Sequence, residues 1–268
     1  MSNRPDPMHR TLSLILCPLL FGAGLSACAT APVRNSGQLS SYDGLTAKEG
    51  TLRAKVSERR NALAPDAIRR VAIEPPQLVA GPDTDWMSED EKALMLREVA
   101  AQLCFELTER FDLAAPGETP DARVRAWVTR VKPTGKVGST MAAAAGFFIP
   151  GPIGLRVPGT LGGFSGEAEM VDGDGRQIAA TVWARNATAV GADNPSLSRI
   201  GDALQFVEPF ADDAAKVMTP DGFKGRPVPT PDPCAEYGPR LRPEGWLAKF
   251  ATGLYVPQLS GARGEAPR

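Results

Sequence analysis

Two glutamates have the most suggestive spacing for chemistry in this sequence. Glu167 and Glu169 stand two residues apart in a predicted strand, so their carboxylates project from the same face of a sheet. Paired carboxylates carry out glycoside hydrolysis. Neighbouring charges on an open strand more often form a solvated face, however, and no other catalytic group accompanies this pair. We therefore expect a solvated face here and not an active site.

The remaining reactive side chains are too few for an enzyme or a metal site. The single histidine, His9, lies in the leading segment, so the rest of the chain has no Ser-His-Asp or Cys-His catalysis and no histidine-ligated zinc. Neither the Ser-x-x-Lys motif nor the Gly-Lys-Ser/Thr of a P-loop follows it. The sequence predicts a protein that is not an enzyme and that has no cofactor and no metal.

One cysteine does have a predicted chemical role, as the site of a lipid anchor. An uncharged run from Thr11 to Ala27 follows Arg4 and Arg10, a layout typical of a secretory signal. The run ends in Leu-Ser-Ala-Cys, the bacterial lipobox, in which the cysteine thiolate takes a diacylglycerol. Residues 1–27 are thus predicted to be a signal peptide and Cys28 to be lipidated. The alternative is a plain secretory signal with a chance cysteine.

The predicted anchor also indicates a location. Two or three acyl chains hold a protein stably on a membrane, whereas one chain binds only marginally. Ala29 follows the cysteine in place of the aspartate that retains enterobacterial lipoproteins in the inner membrane. We expect the chain to be lipid-anchored on the periplasmic face of the outer membrane.

Charge and the remaining cysteines limit the partners and the fold. The 30 basic and 31 acidic residues nearly cancel, so nucleic acid is not an expected partner. Cys104 and Cys234 remain in an oxidising compartment and could form a disulfide that ties the C-terminal tail to the core. The alternative is that Cys104 is a small buried apolar residue.

Composition divides the chain after the signal into three parts. Residues 28–40 resemble a flexible, lipid-attached tether. Residues 41–218 contain the strand and helix patterns of one domain. Residues 219–268 form an extension rich in proline and glycine, with one short amphipathic piece around Trp246–Tyr255.

Periodicity within the domain predicts an α+β fold. Ser88 and Glu91 form a capping box before an apolar face at helical spacing, which predicts a helix over about 88–111. A second amphipathic helix is predicted over about 200–218. The predicted order is strand, helix, strand, strand, strand, helix, with helices on one face of a small, largely antiparallel sheet. The predicted strands are listed in chain order: 69–74, 122–131, 164–171 and 177–185.

The register of the last two strands decides which side chains share a face. A three-residue loop, Gly173-Asp174-Gly175, pairs Met170 with Ile178 and gives a clean apolar face, with Gly175 in a left-handed conformation. This register places Trp183 beside Ser165 on the outer face. Four other residues are expected on that face: Trp127, Arg123, Arg125 and Glu167.

Four short motifs in this chain are shared with a known group of proteins: Leu39–Leu45, Val71–Pro75, Ala122–Val131 and Gly166–Gly175. With these motifs the chain resembles the bacterial lipoproteins grouped as domain of unknown function 3313. The resemblance extends over about residues 37 to 218 and departs from the family pattern at Asp174. It implies a lipoprotein but no activity and no functional residue.

Two features are predicted to carry function. The first is the uncharged stretch 137–155, with Phe147, Phe148 and Ile149, which packs on the core, touches a membrane or a partner, or is disordered. The second is the outer face with Trp127 and Trp183, since exposed Trp and Arg are enriched in binding hot spots. The alternative is that loops or the tail cover these tryptophans.

These features support three hypotheses about function. The first is an accessory or assembly factor of the cell envelope that binds another protein. The second is a carrier of lipid or a small apolar ligand, with 137–155 as its lid or pocket wall. The third is a peptidoglycan-modifying enzyme. Neither the sequence nor its composition indicates the identity of a partner.

Overall fold

The computed structural model of the chain describes residues 31–51, 53–61, 68–115, 117–135, 154–155, 160–188, 190–191 and 193–262. In these ranges the main sheet is mixed, and both of its faces are covered by other parts of the chain. Helices pack on one of its faces, and the N-terminal segment lies on the other. No helix in the described ranges is long and apolar enough to cross a membrane.

The main sheet has eight strands in the order β1-β2-β9-β8-β6-β3-β5, and β4 also pairs with β6. The pairs β1–β2, β2–β9, β9–β8 and β8–β6 are antiparallel. The pairs β6–β3, β3–β5 and β6–β4 are parallel. A small second sheet joins β7 and β10. The strands are β1 (Thr46–Ala47), β2 (Lys55–Arg60), β3 (Arg70–Ile73), β4 (Gln77–Leu78), β5 (Asp112–Leu113), β6 (Ala122–Lys132), β7 (Gly154–Leu155), β8 (Gly163–Asp172), β9 (Gln177–Asn186) and β10 (Val190–Gly191).

The combination of helices with a sheet was predicted correctly, but the prediction of a largely antiparallel sheet was wrong. The sheet is mixed because α1 is the crossover between β3 and β5, and such a connection returns the chain in its original direction. Pro75 and Pro76 stop β3, as expected, and the chain resumes as β4 along β6. Strand β2 escaped prediction because Val56 is its one apolar residue.

Helix α1 (Glu89–Thr108) begins where the capping box predicts. The Ser88 hydroxyl accepts a hydrogen bond from the Glu91 N–H at 3.3 Å, and the Glu91 carboxylate accepts one from the Ser88 N–H at 2.9 Å. The helix ends three residues before the predicted Phe111, because β5 begins directly afterwards at Asp112.

The second predicted helix is divided into α2 (Gly201–Gln205) and α3 (Val207–Met218). Pro209 explains the division. It has no N–H with which to bond the carbonyl of Gln205, four residues earlier, so the helix is interrupted between them.

The helices α1 and α3 cover the core face of the sheet. Trp183, Phe164 and Phe210 form the centre of this core, with ring centroids 5.3 to 6.1 Å apart. The Trp183 Nε1–H donates to the Asp213 carboxylate at 2.8 Å, which satisfies its one polar atom.

The β8–β9 hairpin has the predicted three-residue loop but a different register beyond it. Gly175 has φ +78°, and its N–H donates to the Asp172 carbonyl at 3.0 Å. Val171 pairs with Gln177, but Met170 pairs with Ala179 and not with Ile178, so Ile178 is the extra residue of a β-bulge. The predicted pairing of Met170 with Ile178 was therefore wrong. The bulge turns every later residue of β9, Trp183 included, to the opposite face.

The tail after α3 runs back along α1 and contains two more helices. These are α4 (Pro243–Thr252) and α5 (Pro257–Ser260). Cys104 of α1 and Cys234 of the tail are joined by a disulfide, with their Cα atoms 5.9 Å apart. Arg240 Nε donates to the Asp232 carboxylate at 2.7 Å, and this bond lowers the pKa of Asp232.

Candidate functional sites on the outer face and the C-terminal helix

The outer face of the sheet is covered by the chain's own N-terminal segment, residues 31–45, called here the strap. Leu39 of the strap is 6 % exposed and packs with Trp127, which is 8 % exposed. Val33, Tyr42 and Leu45 pack against the same apolar cluster. The last part of the predicted tether 28–40 is therefore held on the sheet.

The strap supplies the hydrogen bonds that hold a buried carboxylate at Glu167. This residue is fully buried, and both carboxylate oxygens accept bonds from the strap. The Ser36 N–H donates at 2.7 Å, the Ser36 hydroxyl at 2.6 Å and the Tyr42 hydroxyl at 2.7 Å. Charge-assisted bonds of this kind offset part of the cost of burying the charge.

Glu169 is fully buried beside Glu167 and is held in the same way. Its carboxylate accepts the Ser40 N–H at 2.8 Å, the Ser40 hydroxyl at 2.9 Å and the Gln177 side-chain amide at 2.8 Å. Arg125 lies 3.7 Å away and also pairs with Glu74 at 3.2 Å. The expectation that the glutamates form a solvated face was wrong, because it did not include the strap.

The predicted partner-binding face does not exist in the form expected. Trp127, Arg123, Arg125 and Glu167 do share the outer face, with Trp127 directly opposite Glu167. Trp183 lies on the core face and is 1 % exposed, because of the bulge at Ile178. The alternative, that part of the chain covers the face, holds for Trp127. The covering part is the strap, although loops or the tail were expected.

Several predicted functional residues lie outside the described residues. They are Cys28, Phe147, Phe148 and Ile149. The residues Gly135 and Thr160 flank this stretch, and the Gly135 N–H donates to the Thr160 carbonyl at 2.8 Å. Both lie close to the upper end of the sheet, defined here as the end where β6 finishes at Lys132 and β8 starts at Gly163.

A cavity of about 200 Å³ opens beside the strap at this upper end. Arg34 of the strap and Arg130 of β6 both line it. Burial lowers the pKa of the Arg130 guanidinium; the Asp83 carboxylate opposes this effect and Arg34 adds to it. Burial also lowers the pKa of the neighbouring Lys132, and Arg130 contributes to the shift. The cavity thus brings two cations and one carboxylate together.

A larger open cavity of about 580 Å³ lies between the start of α1, the 197–200 turn and the 254–258 segment. Its walls mix Leu94 and Leu254 with Glu91 and Arg199. This lining differs from the dry, closed pocket expected of an apolar-ligand carrier.

Helix α4 presents the largest exposed aromatic surface of the described residues. The rings of Trp246 and Phe250 stack with centroids 5.7 Å apart, and these residues are 62 % and 80 % exposed. Leu247, 56 % exposed, adjoins them, and Leu241, 84 % exposed, precedes the helix. Trp246, Leu247 and Phe250, with Leu241 before them, are called here the α4 ridge. The sequence signalled it only as a short amphipathic piece around Trp246–Tyr255.

The opposite side of α4 is fixed to the body of the protein. A Cβ atom on Gly245 would lie 2.5 Å from the Ser260 hydroxyl, so α4 and α5 are in close contact there. The Arg242 guanidinium donates to the Ser260 carbonyl at 2.7 Å and lies 3.4 Å from the buried carboxylate of Glu98 in α1. The ridge therefore sits on a fixed base.

Sequence comparison assigns the chain to a family. The sequence profile described as "Protein of unknown function (DUF3313)" matches residues 34–214, which include the strap from Arg34 and extend nearly to the end of α3. The chain belongs to the DUF3313 family. The family match does not include the tail, so the disulfide partner Cys234 and the α4 ridge lie outside it. Among curated proteins, none matches the chain.

Solved structures that align with this DUF3313 protein share little sequence with it. A PelC dodecamer from Paraburkholderia phytofirmans aligns over 63 % of this chain and 98 % of its own, with 9 % identity and a TM-score of 0.36. A DUF4136 family protein from Bacteroides thetaiotaomicron aligns over 62 % of this chain and 98 % of its own, with 8 % identity and a TM-score of 0.34. Identities this low do not indicate a shared function.

Proposed function

We propose that this DUF3313 chain is a non-enzymatic lipoprotein, anchored through Cys28 on the periplasmic face of the outer membrane, that binds another envelope protein through the α4 ridge. One observation carries the proposal. Two stacked aromatic rings and Leu247 stay exposed on helix α4, with the exposed Leu241 just before it, and the opposite side of the helix is fixed to the body of the protein. Exposed apolar groups of this kind mark interaction sites, and Trp is enriched in binding hot spots.

The surroundings of the ridge favour a protein over a bilayer as its occupant. Glu244 and Lys249 place both signs of charge on α4, next to a groove lined by Arg185 and Glu208. An apolar centre with a polar rim of both signs is typical of protein interfaces. Helices that lie in a membrane surface instead carry a basic polar face.

Photocrosslinking in intact cells tests this proposal. The full-length chain receives a photoreactive amino acid at Phe250, and a matched control receives it at Thr252, which is exposed on the same helix but off the ridge. We expect one discrete crosslinked protein from position 250 and none from position 252. In the chain that carries the photoreactive amino acid at position 250, the change Trp246→Ser with Leu247→Ser should abolish that product while leaving the melting temperature nearly unchanged, because both side chains are largely exposed.

Three results would contradict the proposal. Crosslinks to lipid alone would assign the ridge to the bilayer, and crosslinks between two copies of the chain would assign it to self-association. Absence of any crosslink at position 250, with the chain present at its normal level, would remove the ridge as a binding surface.

A further inference from the structure

The cavity beside the strap contains a buried polar atom with no partner among the described residues. On the outer face of β8, Ser165, Glu167 and Glu169 follow one another at alternate positions. The strap satisfies the two glutamates. Ser165 is 6 % exposed and lines the cavity, yet its hydroxyl has no hydrogen-bond partner in the part of the chain that the structure describes. A buried hydroxyl left in this state is costly, so a ligand group that bonds to it would be stabilised.

The charges around this hydroxyl fit a ligand that carries both signs. Arg34 is exposed at the mouth of the cavity and has no carboxylate partner among the described residues. Arg130 donates to the Asn186 side chain at 3.2 Å on one side and lines the cavity on the other. Guanidinium groups bind phosphate oxygens well, whereas the Asp83 carboxylate on the same wall fits an ammonium group.

The position of the cavity in the chain indicates where such a ligand would come from. Pro32 lines the cavity and stands four residues after Cys28. Four residues span at most about 14 Å, so a lipid on Cys28 would keep the cavity within that reach of the membrane surface. This step rests on the anchor in the proposed function.

We propose that the cavity binds the zwitterionic headgroup of a phospholipid from the leaflet that holds the anchor. Arg34 and Arg130 bind the phosphate, and the Ser165 hydroxyl donates to one of its oxygens. Asp83 accepts a hydrogen bond from a primary ammonium group, as in phosphoethanolamine. A trimethylammonium group has no N–H to donate, so phosphocholine should bind less well.

The test uses the full chain after the signal, with Cys28→Ala to remove any anchored lipid. Titrations with glycerophosphoethanolamine, glycerophosphocholine, glycerophosphoglycerol and inorganic phosphate are followed through the amide signals of the strap. We expect saturable binding of the ethanolamine compound, and binding of the other three weaker by about tenfold or more, because each loses a charge-assisted bond. Vesicles of phosphatidylethanolamine and of phosphatidylcholine extend the comparison to intact lipid.

Three variants locate the site. Arg34→Gln, Asp83→Asn and Ser165→Ala should each weaken binding, and the control Arg123→Gln, an exposed arginine of β6 outside the cavity, should not. Loss of strap signals in the unliganded Ser165→Ala protein would indicate a folding defect. In that case Arg34→Gln, at an exposed residue, decides whether the cavity is the binding site.

The possible outcomes are separate from those of the proposed function. Equal binding of inorganic phosphate would overturn the headgroup assignment in favour of a free anion, and absence of binding by all four probes would overturn the site itself. Because the protein tested has no anchor, neither result depends on whether Cys28 is lipidated or whether the α4 ridge binds a partner.

Discussion

At the scale of single residues, the strap's contacts with Glu167 and Glu169 explain both a success and a failure of sequence reasoning. Strand alternation correctly placed the two carboxylates on the outer face with Trp127. Glu167 is held in its buried position by Ser36, 131 residues away in sequence, and Glu169 by Ser40, 129 residues away. No local pattern contains that information. Two serines and a tyrosine in a polar stretch look like a tether until the sheet is present to receive them.

Removal of one strap hydroxyl should weaken the fold measurably. In Ser36→Ala, the Glu167 carboxylate loses a 2.6 Å bond while remaining buried, so we expect the free energy of unfolding to fall by about 1.5–3 kcal/mol. The control Ser41→Ala removes only a local bond to the Asp43 N–H and should change it by less than about 0.5 kcal/mol. Urea unfolding of the chain from Ala29 measures both. Equal losses of unfolding free energy in the two variants would mean that the Ser36–Glu167 bond stabilises the fold no more than a local surface bond does.

At the scale of elements, local signals were the reliable ones. The capping box at Ser88 predicted the start of α1, and the glycine at position 175 predicted the three-residue loop. The bulge at Ile178 has no such signal in the local sequence. That one inserted residue moved Trp183 from the expected binding face into the core. In the sequence, only the possible disulfide between Cys104 and Cys234 indicated that the tail packs along α1.

The disulfide between Cys104 and Cys234 should contribute strongly to stability. It links residues 130 positions apart, and cross-links that close loops of this size contribute about 4–5 kcal/mol in the chain-entropy description. We expect reductant to lower the melting temperature of the chain. The double variant Cys104→Ala with Cys234→Ala should melt at a similarly low temperature and should not respond to reductant. A chain whose melting is the same with and without reductant would contradict this expectation.

At the scale of the whole molecule, the strap and the proposed anchor together would determine how the domain meets the membrane. Ala31, three residues after Cys28, is 3 % exposed and is therefore already packed on the domain. A lipid on Cys28 would therefore hold the domain close to the surface. The flexible tether of 28–40 expected from composition would have allowed far more freedom. Composition describes solvation of a segment, but it does not show which surface the segment can bind.

Replacement of the anchor cysteine should release the protein. Cys28→Ala should leave the chain without lipid and move it out of the outer-membrane fraction, because the thiol that would take the diacylglycerol is then missing. Membrane fractionation, detergent partitioning and intact mass measure the change. Ser26→Thr, which alters the lipobox without removing the cysteine, serves as a milder comparison. An unshifted mass and unchanged fractionation of Cys28→Ala would disprove the anchor.

The direction of the strap has a mechanical consequence. From the upper end, the strap meets Glu167 first and Glu169 next, so it runs along β8 and away from Cys28. A load between the membrane and the domain would pull along the strap's own length. Under such shear the bonds to both glutamates share the force, whereas a pull at right angles would open them one after another. An anchored protein with this arrangement can transmit tension from a partner to the membrane without its N-terminal segment peeling from the sheet.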